Sequence, residues 1–159
     1  MTIQTTYTIG QETALAGQVV DLQNGWDKNY VAADAIAMGR AVIQDAGGDR
    51  VCALAAAAGV LVGVAKLSSK PNDGEAVGYV AGDVVPVMDY GRIWVEAVGA
   101  VTKNAPAYVI TTAGANQGKF TATPNALGSI GKFATSGTDA LVELDVSLAI
   151  KGEQGEAGA

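Results

Sequence analysis

The chain contains no histidine and only one cysteine, Cys52, in 159 residues. Without histidine it lacks the commonest general base and metal ligand. Ser-His and Cys-His nucleophile pairs are excluded as well. A lone cysteine rules out an intrachain disulfide and a cysteine-based zinc cluster. Cys52 stands in the apolar run Arg50-Val51-Cys52-Ala53-Leu54, the setting of a small buried hydrophobe rather than a reactive thiol. Charge is also sparse, at 16% of residues, below the usual quarter. The surface must therefore rely on Thr, Ser, Asn and Gln, or be covered by a partner. With a net charge of −6 and ten scattered Lys and Arg, there is no electrostatic footprint for nucleic acid, and anionic lipid is no better matched. Long apolar runs are missing too. The longest, Val51 to Ala65, is interrupted by Gly59 and Gly63 and is too short to span a bilayer as a helix. Residues 1–7 lack the basic start and apolar core of a signal peptide, so a soluble protein made in a cytoplasm without export is expected.

What is present is apolar mass of an unusual kind. The chain is 49% hydrophobic but 6% aromatic, with 21 glycines. Ala and Val separated by Gly favour short strands and tight turns. A chain of this length buries roughly 70% of its unfolded surface, enough for one self-sufficient core.

Periodicity organises the sequence into three parts. Residues 1–14 read as an N-terminal arm, in which Ile3, Thr5, Tyr7 and Ile9 fall on one side of an extended strand. Such a segment buries its apolar side only by pairing, either as the first strand of its own domain or as a strand donated to a neighbour. Residues 15–150 read as a β-domain. Gly17 to Leu22 is its first strand candidate. Gln23 to Asp34 reads as a polar, turn-like stretch carrying Trp26 and Tyr30, with Asn24-Gly25 as the turn signal.

Strands are then expected over Arg40 to Gln44, Val51 to Ala55 and Val60 to Leu67. A helix over 51–58 is the weaker option, because Gly59 and Gly63 break it and Val60, Val62 and Val64 alternate. Ser68 to Ala76 reads as a loop. Asp83 to Met88 and Arg92 to Val98 read as two strands joined by a turn at Asp89-Tyr90-Gly91, with Pro86 marking an edge or bulge. Ala107 to Thr111 and Lys119 to Thr123 form a further pair, and Gly128 to Ala134 and Ala140 to Ile150 another. In the last strand Val142, Leu144, Val146, Leu148 and Ile150 alternate with small or polar residues, the pattern of a strand with one buried face. Many short strands between regular turns imply an all-β barrel or sandwich. Residues 151–159 carry Gly152, Gly155 and Gly158 at every third position. Three proline-free triplets do not hold a collagen helix, so a flexible, solvated tail is expected.

The search for chemistry yields little. Gly114 to Lys119 echoes a phosphate loop in composition, but Phe120 follows Lys119 where Ser or Thr is required. The carboxylates Asp21, Asp27, Asp34, Asp45 and Asp49 match no metal-loop spacing. No catalytic residue, cofactor or metal ligand is assigned, and the chain is read as a non-enzyme.

A resemblance gives the pattern a use. Tyr79-Val80-Ala81-Gly82-Asp83-Val84-Val85-Pro86-Val87 leads into Tyr90-Gly91-Arg92-Ile93-Trp94-Val95-Glu96-Ala97. Ala100-Val101-Thr102-Lys103-Asn104-Ala105-Pro106-Ala107-Tyr108-Val109 follows. Together with Leu61-Val62-Gly63-Val64-Ala65 upstream and Gly118-Lys119-Phe120-Thr121 and Ala140 to Leu144 downstream, this resembles the cement, or decoration, proteins of tailed bacteriophages over residues 15–150. Asn104-Ala105 departs from the family's usual Gly-Asp-like turn. The resemblance implies a small β-barrel with extended arms and no catalytic residues. It also implies a dimer or trimer on the outer surface of the virion, bound to the major capsid protein. Within that expectation Ile3, Tyr7, Ile9, Trp26 and Tyr30 are the candidate contacts with the capsid or a neighbouring subunit. Two other classes remain open. One is a β-barrel module that binds a glycan or host surface through Trp26, Tyr30 and Tyr90. The other is an enzyme with paired carboxylates.

Overall fold

The computed structural model describes residues 15–20, 26–67 and 78–148. Among them the chain forms thirteen strands in order: β1 Trp26–Ala32, β2 Ile36–Ala37, β3 Ala41–Gln44, β4 Val51–Leu54, β5 Leu61–Ala65, β6 Gly78–Tyr79, β7 Val84–Glu96, β8 Ala100–Val101, β9 Pro106–Val109, β10 Phe120–Thr121, β11 Gly131–Phe133, β12 Gly137–Thr138 and β13 Leu141–Ser147. The expected all-β barrel is what forms. Strands β1, β4, β3, β5 and β7 pair in that order, and β7 returns to β1, closing a five-stranded barrel. The β1–β4 seam is parallel and the other four are antiparallel.

Alternation fills the barrel. Tyr30, Ala32, Val42, Cys52, Ala65, Val85 and Val87 form its core, joined by Ile36, Met38 and Tyr79. Several of these side chains are small, as a narrow five-stranded lumen requires. The Tyr79 hydroxyl donates to the Lys66 carbonyl at 2.6 Å, which satisfies the one polar atom of a nearly buried ring.

β7 continues past the barrel and founds a second sheet in the order β7-β13-β11-β9-β10. This sheet curls until β10 meets the end of β7, through a bridge between Phe120 and Ala97 and a Val98 N–H to Phe120 carbonyl bond of 2.8 Å. Ile93, Val95, Val109, Phe120, Ile130, Phe133, Val142 and Leu144 share a second core with Ala41, Ile43, Val64 and Met88. Those last four belong to barrel strands but face away from the lumen, so the barrel wall is apolar on both faces along β3, β5 and the first half of β7.

The expected turn at Asp89-Tyr90-Gly91 is instead the middle of one 13-residue strand. Trp26 pairs with Tyr90 and Asp27 with Met88, which leaves Asp89 as an extra residue, a β-bulge. One inserted residue reverses which face each later side chain takes. Before the bulge the odd-numbered Val85 and Val87 face the barrel core. After it the odd-numbered Ile93 and Val95 face the second core. The bulge thus lets a single strand serve two cores. A second correction concerns Gln23 to Asp34. Residues 26–32 form strand β1, although four consecutive positions are exposed. Its polar residues face solvent, and pairing with β4 and β7 holds it in place. Residues 21–25 and 68–77, and with them the Asn24-Gly25 turn and the Ser68 to Ala76 loop, lie outside the described residues.

Pro86 is not at a sheet edge, because it pairs with Asn29 across β1. Its carbonyl accepts from Lys66 N at 2.8 Å. Its nitrogen faces that same flank, where β5 has already ended, so the missing N–H interrupts no ladder. Of the first strand candidate, Gly17 to Leu22, only a bridge between Val19 and Ile93 forms among the described residues.

Cys52 is fully buried in the barrel. Burial first, and then the nearby Asp45 carboxylate, raises its pKa from 9.0 to about 11. The unfolded chain therefore loses its thiol proton first as pH rises. The stability contribution is complete below pH 9, declines between pH 9 and 11, and amounts to on the order of 2 kcal/mol. Urea midpoints of the wild type should fall across that window relative to those of Cys52→Ala. Parallel curves would contradict the assignment.

Candidate functional site

Ile3, Tyr7 and Ile9 lie outside the described residues. The other two expected contact residues separate sharply. Tyr30 points into the barrel, only 8% exposed, with the Arg50 guanidinium 6.0 Å from its ring centroid. The alternation of β1 turns Tyr30 and Ala32 inward together, so Tyr30 has no face to offer a partner. Trp26 begins the same strand and is 55% exposed. Its ring tilts at 40° against Tyr90, with centroids 5.0 Å apart. The fold thus brings Trp26 and Tyr90 together as a solvent-facing aromatic pair, while a platform that also used Tyr30 is not formed.

Next to Tyr90 in the chain is the bulge residue, Asp89. It is a charged residue buried among the apolar positions of β7. Its Oδ2 is 3.3 Å from the Lys28 ammonium, whose side chain is 57% exposed, while its Oδ1 is buried with no hydrogen-bond partner. An unsatisfied buried acceptor of this kind costs roughly 1–3 kcal/mol. On the opposite face of β1, Asp27 pairs with Lys66 at 3.2 Å. Local sequence carries no sign of this buried carboxylate, since Asp89 reads there as part of a turn.

The start of the described chain is fastened to β7. Gly17 N–H donates to the Trp94 carbonyl at 2.8 Å, Trp94 N–H to Gln18 at 2.9 Å, and Val20 N–H to Arg92 at 3.0 Å. Gly17 adopts φ +87°, and a side chain there would meet the backbone nitrogens of Leu67 and Gly39 at 2.8 and 2.9 Å. Only glycine allows the segment to lie so close. Leu15, at the outer end of this clasp, is exposed.

Elsewhere several polar groups are paired. On the open face of the second sheet Arg92 holds Asp145 through Nε at 2.6 Å and Nη2 at 3.2 Å, an exposed pair worth under about 1 kcal/mol. A groove of about 300 Å³ is lined by Glu96, Asn116, Lys119, Asp139 and Leu141. There Lys119 pairs with Glu96 at 3.1 Å, and Asp139 accepts from Gly99 N–H at 2.7 Å. Asp27, Asp34, Asp45 and Asp49 do not converge. Among the described residues no three potential metal ligands come together.

Residues 3–147 match the family described as structural cement protein (E217 gp24/Pam3 gp6). The chain belongs to this family. Among solved structures, this cement-family chain resembles one from the capsid of Myoviridae phage XM1. The TM-score is 0.70 at 20% identity, covering 92% of this chain and 98% of that one. It also resembles the base of the head fiber gp8.5 of bacteriophage phi29, with TM-score 0.52 at 16% identity, covering 77% and 94%. At these identities both likenesses concern the fold. No curated protein gives a sequence match. A structural role in a phage virion follows from the family.

Proposed function

We infer that this chain is a non-enzymatic cement that binds the outer surface of a phage capsid and stabilises it by bridging subunits of the major capsid protein. The family match over residues 3–147 carries the reading. The architecture supports it. Among the described residues, every strand of three or more residues is paired on both sides. Among the described residues the open edges are confined to two-residue strands, and so short an edge resists adding strands from copies of the chain. Any β-addition by the N-terminal arm is therefore directed to an edge on another protein. In the sequence of the arm, residues 1–14, Ile3, Tyr7 and Ile9 stand at odd positions, which an extended strand would place on one side. It leads directly into the clasp at Gly17 to Val20, so a pull on the arm passes into β7, the strand common to both cores.

A molecule that bridges neighbours binds only the assembled shell. Its binding free energy stabilises that shell by linkage, and many symmetric copies, each a dimer or trimer, add avidity. The protein is made in the host cytoplasm and joins the outside of the virion, without contact to nucleic acid or membrane, as its charge of −6 suits.

The test is co-sedimentation with purified expanded capsids that lack the protein. The intact chain should bind and raise the temperature at which the shells release their contents. Deletion of residues 2–10 should lower binding at least tenfold while leaving the thermal unfolding of the body unchanged. Binding of the deleted protein equal to that of the intact one would remove the arm from the mechanism. No binding by the intact protein would remove the cement reading itself.

A further inference from the structure

We propose that the Trp26–Tyr90 pair and the Asp89 carboxylate together form a socket for an arginine side chain of the capsid protein. The proposal rests on the cement reading and specifies one of its contacts. Three observations converge on the socket. First, an exposed tryptophan is braced against a tyrosine, rings 5.0 Å apart, and offers a π-face of the kind over which a guanidinium stacks. Second, the carboxylate of the residue before Tyr90, Asp89, has only a tenth of its side chain exposed and meets Lys28, which shares a face of β1 with Trp26 two residues away, and one of its two oxygens is buried with no partner. Third, the cation now on the other oxygen, Lys28, is a mostly exposed side chain at 3.3 Å.

An ammonium is a point donor and satisfies one oxygen at a time. A guanidinium is a planar fork whose parallel N–H groups take both carboxylate oxygens while its face lies on an aromatic ring. Rotation about the Cβ–Cγ bond of Asp89 and withdrawal of Lys28 present both oxygens to such a fork. The other acid of this stretch, Asp27, sits opposite Met88 on the other face of the sheet from Lys28 and is paired with Lys66 at 3.2 Å, so Asp89 is the carboxylate left to this socket. An aromatic anchor beside a nearly buried, half-satisfied charge is the arrangement that concentrates binding energy at interfaces.

The experiment measures affinity for cement-free expanded capsids, using the full chain. Trp26→Ala and Asp89→Asn should each weaken binding about tenfold or more. Their double variant should lose much less than the product of the two, because both act on one incoming side chain. Trp26→Phe should keep most of the affinity, and Lys28→Met should bind as well as the wild type or better. Thermal unfolding of each variant controls for folding, and Trp26, being exposed, leaves the fold intact when truncated. Wild-type affinity in both Trp26→Ala and Asp89→Asn would overturn the socket while leaving the cement reading in place. So would multiplicative losses, or a loss in Trp26→Ala confined to binding of a bacterial surface polysaccharide. Failure of the wild type to bind shells would instead defeat the cement reading.

Discussion

Gly63→Ala should destabilise the protein by about 3 kcal/mol or more. Gly63 lies inside β5, opposite Val42, and is followed along the partner strand by a register shift. Its φ is +148°, and a Cβ built on it would stand 2.2 Å from the Met88 carbonyl oxygen and 2.7 Å from Val87 Cγ1. The first of these obstacles is backbone and cannot rotate away. Relief therefore requires β5 to move from β7, which opens one of the five seams of the barrel. Overpacking that shifts backbone costs roughly 1–3 kcal/mol, and the glycine-only dihedral adds to it. For a domain of this size the midpoint should fall by roughly 6–12 °C. Differential scanning calorimetry is the direct check, and a midpoint within a degree of the wild type would mean the seam is not as tight as described. By contrast Gly82, whose added Cβ would meet nothing within 4 Å, should show only the smaller cost of a left-handed alanine.

Phe120→Ala should cost about 3–5 kcal/mol, through loss of contacts rather than strain. Phe120 is fully buried and is among the largest side chains of the second core, with Phe133, Ile93 and Leu144. Its backbone pairs with Val109 and accepts from Val98, so it closes the second sheet onto β7. Truncation leaves those hydrogen bonds in place and removes only the ring. The expected signature is a lowered urea midpoint, with a smaller loss in Phe120→Leu, which keeps most of the volume. Equal losses in the two variants would point to the aromatic ring itself rather than to cavity formation. Because the barrel has its own core, a loss of second-sheet signals before barrel signals in hydrogen exchange would locate the damage.

Much of this architecture was legible in the chain. The strict alternation of Val142, Leu144 and Val146 is what β13 buries, because a strand's period of two maps directly onto its two faces. The pairs β9 with β10 and β11 with β13 also follow local turn signals. The absence of histidine and the isolation of Cys52 determined which chemistries the protein lacks the residues for, and these depend on composition alone. The family resemblance was likewise carried by local strings of turn and strand residues.

Other features could be settled only by tertiary structure, because they depend on partners distant in sequence. Trp26 to Asn29 shows no apolar period, and β1 exists because β7 and β4 supply its ladders. Asp89-Tyr90-Gly91 reads locally as a turn. Whether an extra residue ends a strand or bulges within it depends on whether both neighbours continue, and here β1 and β13 both pair at Tyr90. The same long-range pairing sends Tyr30 into the lumen and leaves Trp26, four residues earlier, in solvent. Residue types and local spacing thus determined the material and the class of the fold. Contacts between segments far apart in the chain decided which side chains remain exposed.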